Sequence, residues 1–343
     1  MKKVAVVILN WNGEHLLRQF LPGITTHSVL PEGKVEVVVA DNGSTDTSEV
    51  YVASLMANTP NLRWLPLGKN YGFAEGYNRA LDKVDAEYVV LLNDDVEVTP
   101  HWLEPLIGYM DTHREVAACQ PKLLSQCERS RFEYAGACGG YLDRYGYPYC
   151  RGRLFESVEE DCGQYDTPAS VLWGTGACLF IRLKTYREVG GFDSRFFAHM
   201  EEVDLCWRLR ISGKDIVCVP LSTVYHVGGA SLATGSPRKT YLNFRNNLLM
   251  LYKNLPKGEV NRVLFVRRFF DVLAAFVFLL KGERSNFLAV FKARKDFRRM
   301  KKEYSPDRHS IDKSSDKRSP FCLLWQYHIL RRRTFSALPG RKK

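Results

Sequence analysis

The chain has 343 residues, 45% of them hydrophobic, enough to bury a large core and to exclude wholesale disorder. Its formal charge of +11 is uneven: residues 281–343 hold 19 Lys and Arg against 6 Asp and Glu, a net of +13, which leaves the remainder at −2. The basic character belongs to the tail, and suits an anionic membrane surface or simple solubility. Few interleaved aromatics and no recognisable motif argue against nucleic acid. Nine cysteines without a C-x-x-C spacing exclude a zinc ribbon and a thioredoxin-type motif, and the odd number reads as reduced, intracellular thiols.

The elements follow in chain order. Met1-Lys2-Lys3 and the run Val4 to Leu9 imitate a signal peptide, but the run stops at Asn10-Trp11-Asn12-Gly13 and reads as a buried first strand. Leu16, Leu17 and Phe20 lie on one face of a helix from Glu14. Val35 to Ala40 is a second apolar strand, followed by the turn Asp41-Asn42-Gly43-Ser44, where Ser44 or Thr45 can cap a helix reaching Ala57. Leu62 to Leu67 reads as a third strand, Phe73 to Leu81 as a helix and Tyr88 to Leu92 as a fourth strand. The pattern weakens over residues 116–166, which read as irregular strands and loops. Strand character returns over Val171 to Leu183, and a loop from Phe196 leads into a helix ending near Ile211. Tyr241 to Leu255 is an amphipathic helix. Phe269 to Leu280 is apolar apart from Asp271, with basic residues at both ends. No stretch is long and apolar enough to predict a spanning helix.

Apolar strands joined by helices predict an α/β fold with a mostly parallel sheet, whose ligands bind beyond the carboxyl ends of the strands. Asn10 and Asn12 follow the first strand, Asp41 the second and Asn93-Asp94-Asp95 the fourth. No G-x-G-x-x-G follows the first strand, which disfavours a dehydrogenase-type site. Adjacent carboxylates at a strand end call for a counter-charge, and Mg²⁺ or Mn²⁺ takes one or two carboxylates plus phosphate oxygens; the bland alternative is an acidic turn before a helix. Asp41 either caps its own turn or accepts the imide N–H of uracil or thymine, and Asn10 and Asn12 can bond base or ribose. Asn70 and Gly72 open a helix whose N-terminus favours an anion, unless it is a helix start and nothing more. Trp173-Gly174-Thr175 is either a tight bend or a place where an acceptor approaches backbone. Glu201 and Glu202 are candidates for the base that takes an acceptor hydroxyl proton, while Asp204 and Arg208, four apart on a helix, should pair. His226 ends a strand, and Arg238, Lys239 and Arg245 could neutralise a departing diphosphate.

Four segments carry a resemblance: Val7-Ile8-Leu9-Asn10-Trp11-Asn12, Ala40 to Asp46, Leu91 to Asp95, and Phe197 to Leu205. In order and spacing they resemble the family 2 inverting glycosyltransferases, most closely the rhamnosyltransferase-like members of bacterial polysaccharide assembly, over residues 3–255. The resemblance implies a GT-A fold, a nucleoside-diphosphate sugar donor of dTDP or UDP type, a saccharide or lipid-linked acceptor, and inversion by single displacement. It implies that Asp41 holds the base, Asp95 binds the metal, Asn93 or Asp94 lies near the ribose, and His226 lies close to metal and diphosphate. Glu202 falls at the position of the catalytic base, where the family usually has Asp, and the acidic triplet opens with Asn rather than Asp. The expected organisation is a transferase domain over 1–255, divided near 115 into nucleotide and acceptor halves. A basic C-terminal extension over 256–343 would follow, lying at the cytoplasmic face of a membrane or packed on the domain. The rivals are an inactive GT-A-like binding protein and a sugar nucleotidyltransferase; the latter would want an Arg-rich loop where Asn10 to Gly13 stands.

Overall fold

The computed structural model describes residues 2–31, 33–228, 235–304 and 318–341. Its first half alternates strand and helix: β1 (Lys2–Asn10), α1 (Glu14–His27), β2 (Val35–Asp41), α2 (Ser48–Met56), β3 (Leu62–Pro66), α3 (Gly72–Leu81) and β4 (Ala86–Leu92). The four strands run parallel in the order β3-β2-β1-β4. The strands read as continuous apolar runs because both faces are covered. On β1, Val4, Val6 and Ile8 join a core with Leu16, Leu17 and Phe20 of α1, while Ala5 and Val7 face Ala74 and Tyr77 of α3. The chain leaves β1 in one direction toward β2 and β3 and returns on its other side as β4. That reversal makes a crevice at the carboxyl ends of β1 and β4. α2 starts at Ser48 with Thr47, not Ser44 or Thr45, at its N-cap; those two residues are engaged by Asn12.

The second half extends the sheet with mixed polarity. β5 (Val96–Val98) and α4 (Leu103–Thr112) lead to β6 (Val116–Ser125); β7 (Gly140–Leu142), β8 (Pro148–Cys150), β9 (Arg153–Leu154) and β10 (Ser157–Val158) form a small antiparallel sheet. β11 (Ala169–Val171), β12 (Cys178–Arg182), α5 (Leu183–Glu188), α6 (Glu201–Ile211) and β13 (Asp215–His226) complete the body. β12 inserts antiparallel between β4 and β6, and β13 pairs parallel with β6. β6 is a buried ten-residue strand where an irregular segment was expected. Gln120, Pro121 and Lys122 interrupt its apolar pattern; Lys122 is buried because Asp161 and Asp166 neutralise it.

Three helices follow: α7 (Pro237–Asn254), α8 (Lys257–Leu280) and α9 (Arg284–Met300). The extension does not form a second core. Val260, Val263, Phe297, Phe321, Leu323 and Phe335 lie in the same cluster as Tyr141, Tyr149 and Leu248. The described part of the tail is tied to the small sheet region through Leu323 N to Asp143 Oδ2 at 2.8 Å and Phe335 N to Glu159 Oε1 at 2.8 Å. No described helix is long and apolar enough to cross a membrane.

Candidate active site

The crevice is lined first by residues that close β1 and β2. Asp41, 7% exposed, accepts Asn10 Nδ2 on Oδ1 at 3.1 Å, and the N–H groups of Gly43 and Ser44 on Oδ2 at 3.2 and 3.1 Å. The turn-capping role and a binding role of Asp41 are therefore compatible: Oδ1, which accepts one bond, keeps a lone pair for an incoming N–H. Asn12 sits at φ 53°, donates its N–H to Ser44 Oγ at 2.9 Å and accepts Thr45 N on Oδ1 at 2.7 Å. Asn10 Oδ1 is buried and makes no hydrogen bond. It faces the same small space as Asp94: a Cβ on Gly13 would stand 2.7 Å from Asn10 Oδ1 and 2.5 Å from Asp94 Oδ2. Glycine at 13 is what lets these two oxygens approach the β1–α1 turn.

The triplet after β4 splits by burial. Asp95 is 3% exposed, while Asn93 and Asp94 are half-buried. Burial, then the Asp95 charge, push the Asp94 carboxyl up to about 7. Asp95 Oδ1 lies 3.0 Å from His226 Nε2, and Val227 N donates to Asp95 O at 3.1 Å, so β13 carries the histidine to the triplet. On the other side of the ring, Glu133 Oε1 stands 3.2 Å from Nδ1, and its Oε2 accepts the N–H groups of Ala135 and Gly136. Burial alone would lower the His226 pKa, but the two carboxylates outweigh it and carry it up to about 10. Without a cation, the ring is the proton-bearing counter-charge of Asp95.

This donor set fits a hard divalent ion. Asp95 Oδ1 and His226 Nε2, already side by side at 3.0 Å, are the two groups that would hold it. Glu133, 3.2 Å behind the ring, would then orient the imidazole. Among the described residues no group of three or more His, Cys, Asp or Glu is arranged to hold an ion, so phosphate oxygens and water would complete the sphere, as Mg²⁺ and Mn²⁺ favour.

The acidic start of α6 is held differently. Phe197, His199 and Met200 have φ of 65°, 69° and 70°, positive values for non-glycine residues that cost energy and persist only where the surroundings impose them. Asn246 imposes them: its Nδ2 reaches the carbonyls of Phe196, Ala198 and His199 at 2.9, 2.8 and 2.7 Å. The strained loop delivers Glu201, 4% exposed, and half-buried Glu202, each with an Oε2 that has no partner. Burial raises Glu202 to about 7, and burial with the Glu202 charge holds Glu201 well above the carboxylate range. One turn on, Asp204 is fully engaged by Arg208, Lys253 and Asn254 at 2.9, 2.8 and 2.8 Å, as the four-residue spacing from Arg208 predicted. Both acidic segments border the start of β12. Asn93 N donates to Ala177 O at 3.0 Å, and a Cβ on neighbouring Gly176 would touch Glu202 Cβ at 3.7 Å.

Several expected contacts go elsewhere. The N–H groups of Phe73 and Ala74 both donate to Phe197 O, and Gly72 N donates to Asn70 Oδ1, so the start of α3 is capped by protein and is not an open anion site. Gly72, at φ 79°, is required because the Phe197 ring lies 2.6 Å from where its Cβ would be. Arg245 is buried against the carbonyls of Arg195 and Phe196 at 3.2 and 2.9 Å and supports the loop, not a diphosphate. Trp173 and Thr175 are 3% and 2% exposed: the indole donates to Tyr141 O at 3.0 Å, and Gln120 Oε1 accepts Thr175 N at 2.9 Å. Gly174 is packed on Leu179. These three form a core bend and offer no acceptor surface. Glu133 and Asn246 were missed because a lone Glu in a weakly patterned segment and an Asn inside a helix carry no motif; their roles exist only across the fold.

Solved structures share this architecture. The TarS fragment 1-349 of S. aureus with UDP-GlcNAc superposes with a TM-score of 0.58 at 17% identity, over 92% of this chain and 84% of that one. The mannosyltransferase PcManGT from Pyrobaculum calidifontis, in complex with GDP-Man and Mn²⁺, gives 0.53 at 16%, over 85% and 75%. The fold is GT-A, and the protein is an enzyme of glycosyltransferase type. The family model for Glycosyl transferase family 2 matches residues 5–163. The N-acetylglucosaminyl-diphospho-decaprenol L-rhamnosyltransferase of Mycobacterium tuberculosis is 30% identical over 230 residues, 62% of this chain and 72% of that protein. The rhamnosyltransferase WbbL of Escherichia coli is 22% identical over 65% and 83%. The chain belongs to glycosyltransferase family 2, and within it is rhamnosyltransferase-like in sequence.

Proposed function

We propose that the protein transfers a deoxyhexose of the rhamnose type from a dTDP- or UDP-linked donor to a hydroxyl of a lipid-linked saccharide, with inversion, in glycan assembly at the cytoplasmic face of a membrane. The observation that carries the reading is the presence, at the carboxyl end of the parallel strands, of the Asn10–Asp41 turn and the Asp95–His226 pair, with Glu202, whose Oε2 has no partner, beside the start of β12. The relatives named above act as rhamnosyltransferases, one on a diphospho-polyprenol sugar.

Asp41 and Asn10 would bind the base and ribose, with Asn93 and Asp94 beside them. Asp95 and His226 would hold Mg²⁺ or Mn²⁺, which when bound neutralises charge on the diphosphate. Glu202 takes the proton of the acceptor hydroxyl. That oxygen forms a bond to the anomeric carbon as the carbon–oxygen bond to the diphosphate breaks, and the nucleoside diphosphate leaves with the electron pair. Glu202 serves better than Glu201 because it is the less buried of the two, and at about 7 its carboxyl is matched to proton transfer near neutrality. The test is a donor screen with purified protein and Mn²⁺, reading released nucleoside diphosphate and the anomeric configuration of the product. Release from no dTDP- or UDP-sugar, or a retained configuration, overturns the reading.

A further inference from the structure

The hairpin of α8 and α9 is built inside out. α8 turns Arg267 and Asp271 inward, 2% and 0% exposed, where Arg267 donates to Asp271 Oδ1 at 3.2 Å and to Tyr145 O at 3.0 Å, and Arg294 of α9 pairs with the other Asp271 oxygen. The outward face carries Phe265, Phe269, Leu273, Phe276 and Leu280, which are 60, 60, 62, 50 and 87% exposed. Their spacing of three and four residues makes one continuous stripe along the helix. Leu288 and Phe291 of α9, 63% and 41% exposed, extend it past the turn. Soluble monomers rarely show water an apolar patch of this extent while burying ion pairs beneath it. The rim has a single sign. Every charged residue of 257–300 that is exposed is Lys or Arg, among them Arg262, Arg268, Lys281, Arg284 and Lys295, whereas Glu259, Asp271, Glu283 and Asp296 are half-buried or buried.

We propose that this face lies on an anionic lipid bilayer, with the phenyl and leucyl groups below the headgroups and the basic rim at their phosphates. Packing against a second copy would bring two basic rims together, an arrangement that repels itself. No described helix can cross a bilayer, so the attachment is parallel to the surface. The inference does not depend on the sugar chemistry, and its failure would leave the transferase reading standing.

The test is co-sedimentation of the full chain with phosphatidylglycerol/phosphatidylcholine vesicles and with pure phosphatidylcholine vesicles, at low and physiological salt. The expected result is binding to the anionic vesicles that weakens with salt, little binding to the neutral ones, and a loss of about tenfold or more in Phe269→Ser/Leu273→Ser. That double variant should keep its melting temperature and its transfer to a soluble acceptor, because both side chains are exposed. Absence of binding to anionic vesicles, equal binding to neutral ones, or undiminished binding by the variant overturns the proposal. So does a dimer in light scattering that the same substitutions dissolve.

Discussion

The turn at Asp41 and the helix start at Glu201–Glu202 are both acidic, and they are built on opposite plans. Around Asp41 each carboxylate oxygen accepts a hydrogen bond from Asn10 or from the following turn. Around Glu202 the backbone is strained, an oxygen of each glutamate lacks a partner, and the support comes from Asn246, more than forty residues later. The difference suits the two tasks the proposed function gives them. A recognition group gains from being fixed and satisfied before its ligand arrives. A proton acceptor must keep an oxygen unpaired and a carboxyl near neutrality, and burying it so costs stability that the fold supplies elsewhere. Asp204, in the same helix as Glu202 but fully paired, shows that the contrast is one of environment and not of residue type.

The largest effect is expected at the junction between the two plans. Asp95→Ala should lower kcat/KM by about a thousandfold or more and abolish Mn²⁺-dependent nucleotide binding in calorimetry; unchanged transfer would remove the metal from the reading. Glu202→Gln should lower kcat by about 10²- to 10³-fold with donor KM little changed. The wild-type pH profile sharpens this. The base works ionised and its carboxyl sits up at about 7, so kcat should fall about tenfold per unit as pH drops below 7. The variant should lose that acidic limb, and a limb that survives would point to Glu201. Glu133→Gln should weaken Mn²⁺ affinity about ten- to a hundredfold, measured by titration of the paramagnetic ion without substrate; no change would make Glu133 merely a partner of the imidazolium. Asn246→Ala takes the side-chain donor from the Ala198 and His199 carbonyls, while Phe196 O keeps Arg245, and should cost about 2–3 kcal/mol in denaturant unfolding, with kcat reduced more than donor binding. Gly72→Ala, forced to hold φ 79° against the Phe197 ring, should cost about 1–3 kcal/mol. An equal loss of donor binding in these last two variants would show that the halves are not built separately.

Much of this site was legible because its signals are local. Asn10, Asp41 and Asp95 stand directly after apolar strands, and in a parallel sheet every such strand ends on the same side, so their convergence followed from pattern alone. Gly72 was legible as a glycine requiring open backbone, but its neighbour was not: the group that fills the space is a phenylalanine from residue 197, not a phosphate. Trp173 and Thr175 misled for the same reason, since a glycine-flanked bend looks alike whether ligand or core lies against it. β6 was hidden by a buried lysine whose partners lie about forty residues away.

By itself the sequence determined the parallel half, the side of the sheet on which chemistry would sit and the identity of its acidic groups, because period, strand length and strand ends are short-range properties. Only the tertiary structure decided which carboxylates are satisfied and which keep an oxygen without a partner, that Glu133 stands behind His226, and that α8 turns its charges inward and its phenylalanines outward. Those choices depend on desolvation and hydrogen bonding between residues far apart in the chain, which no local pattern records.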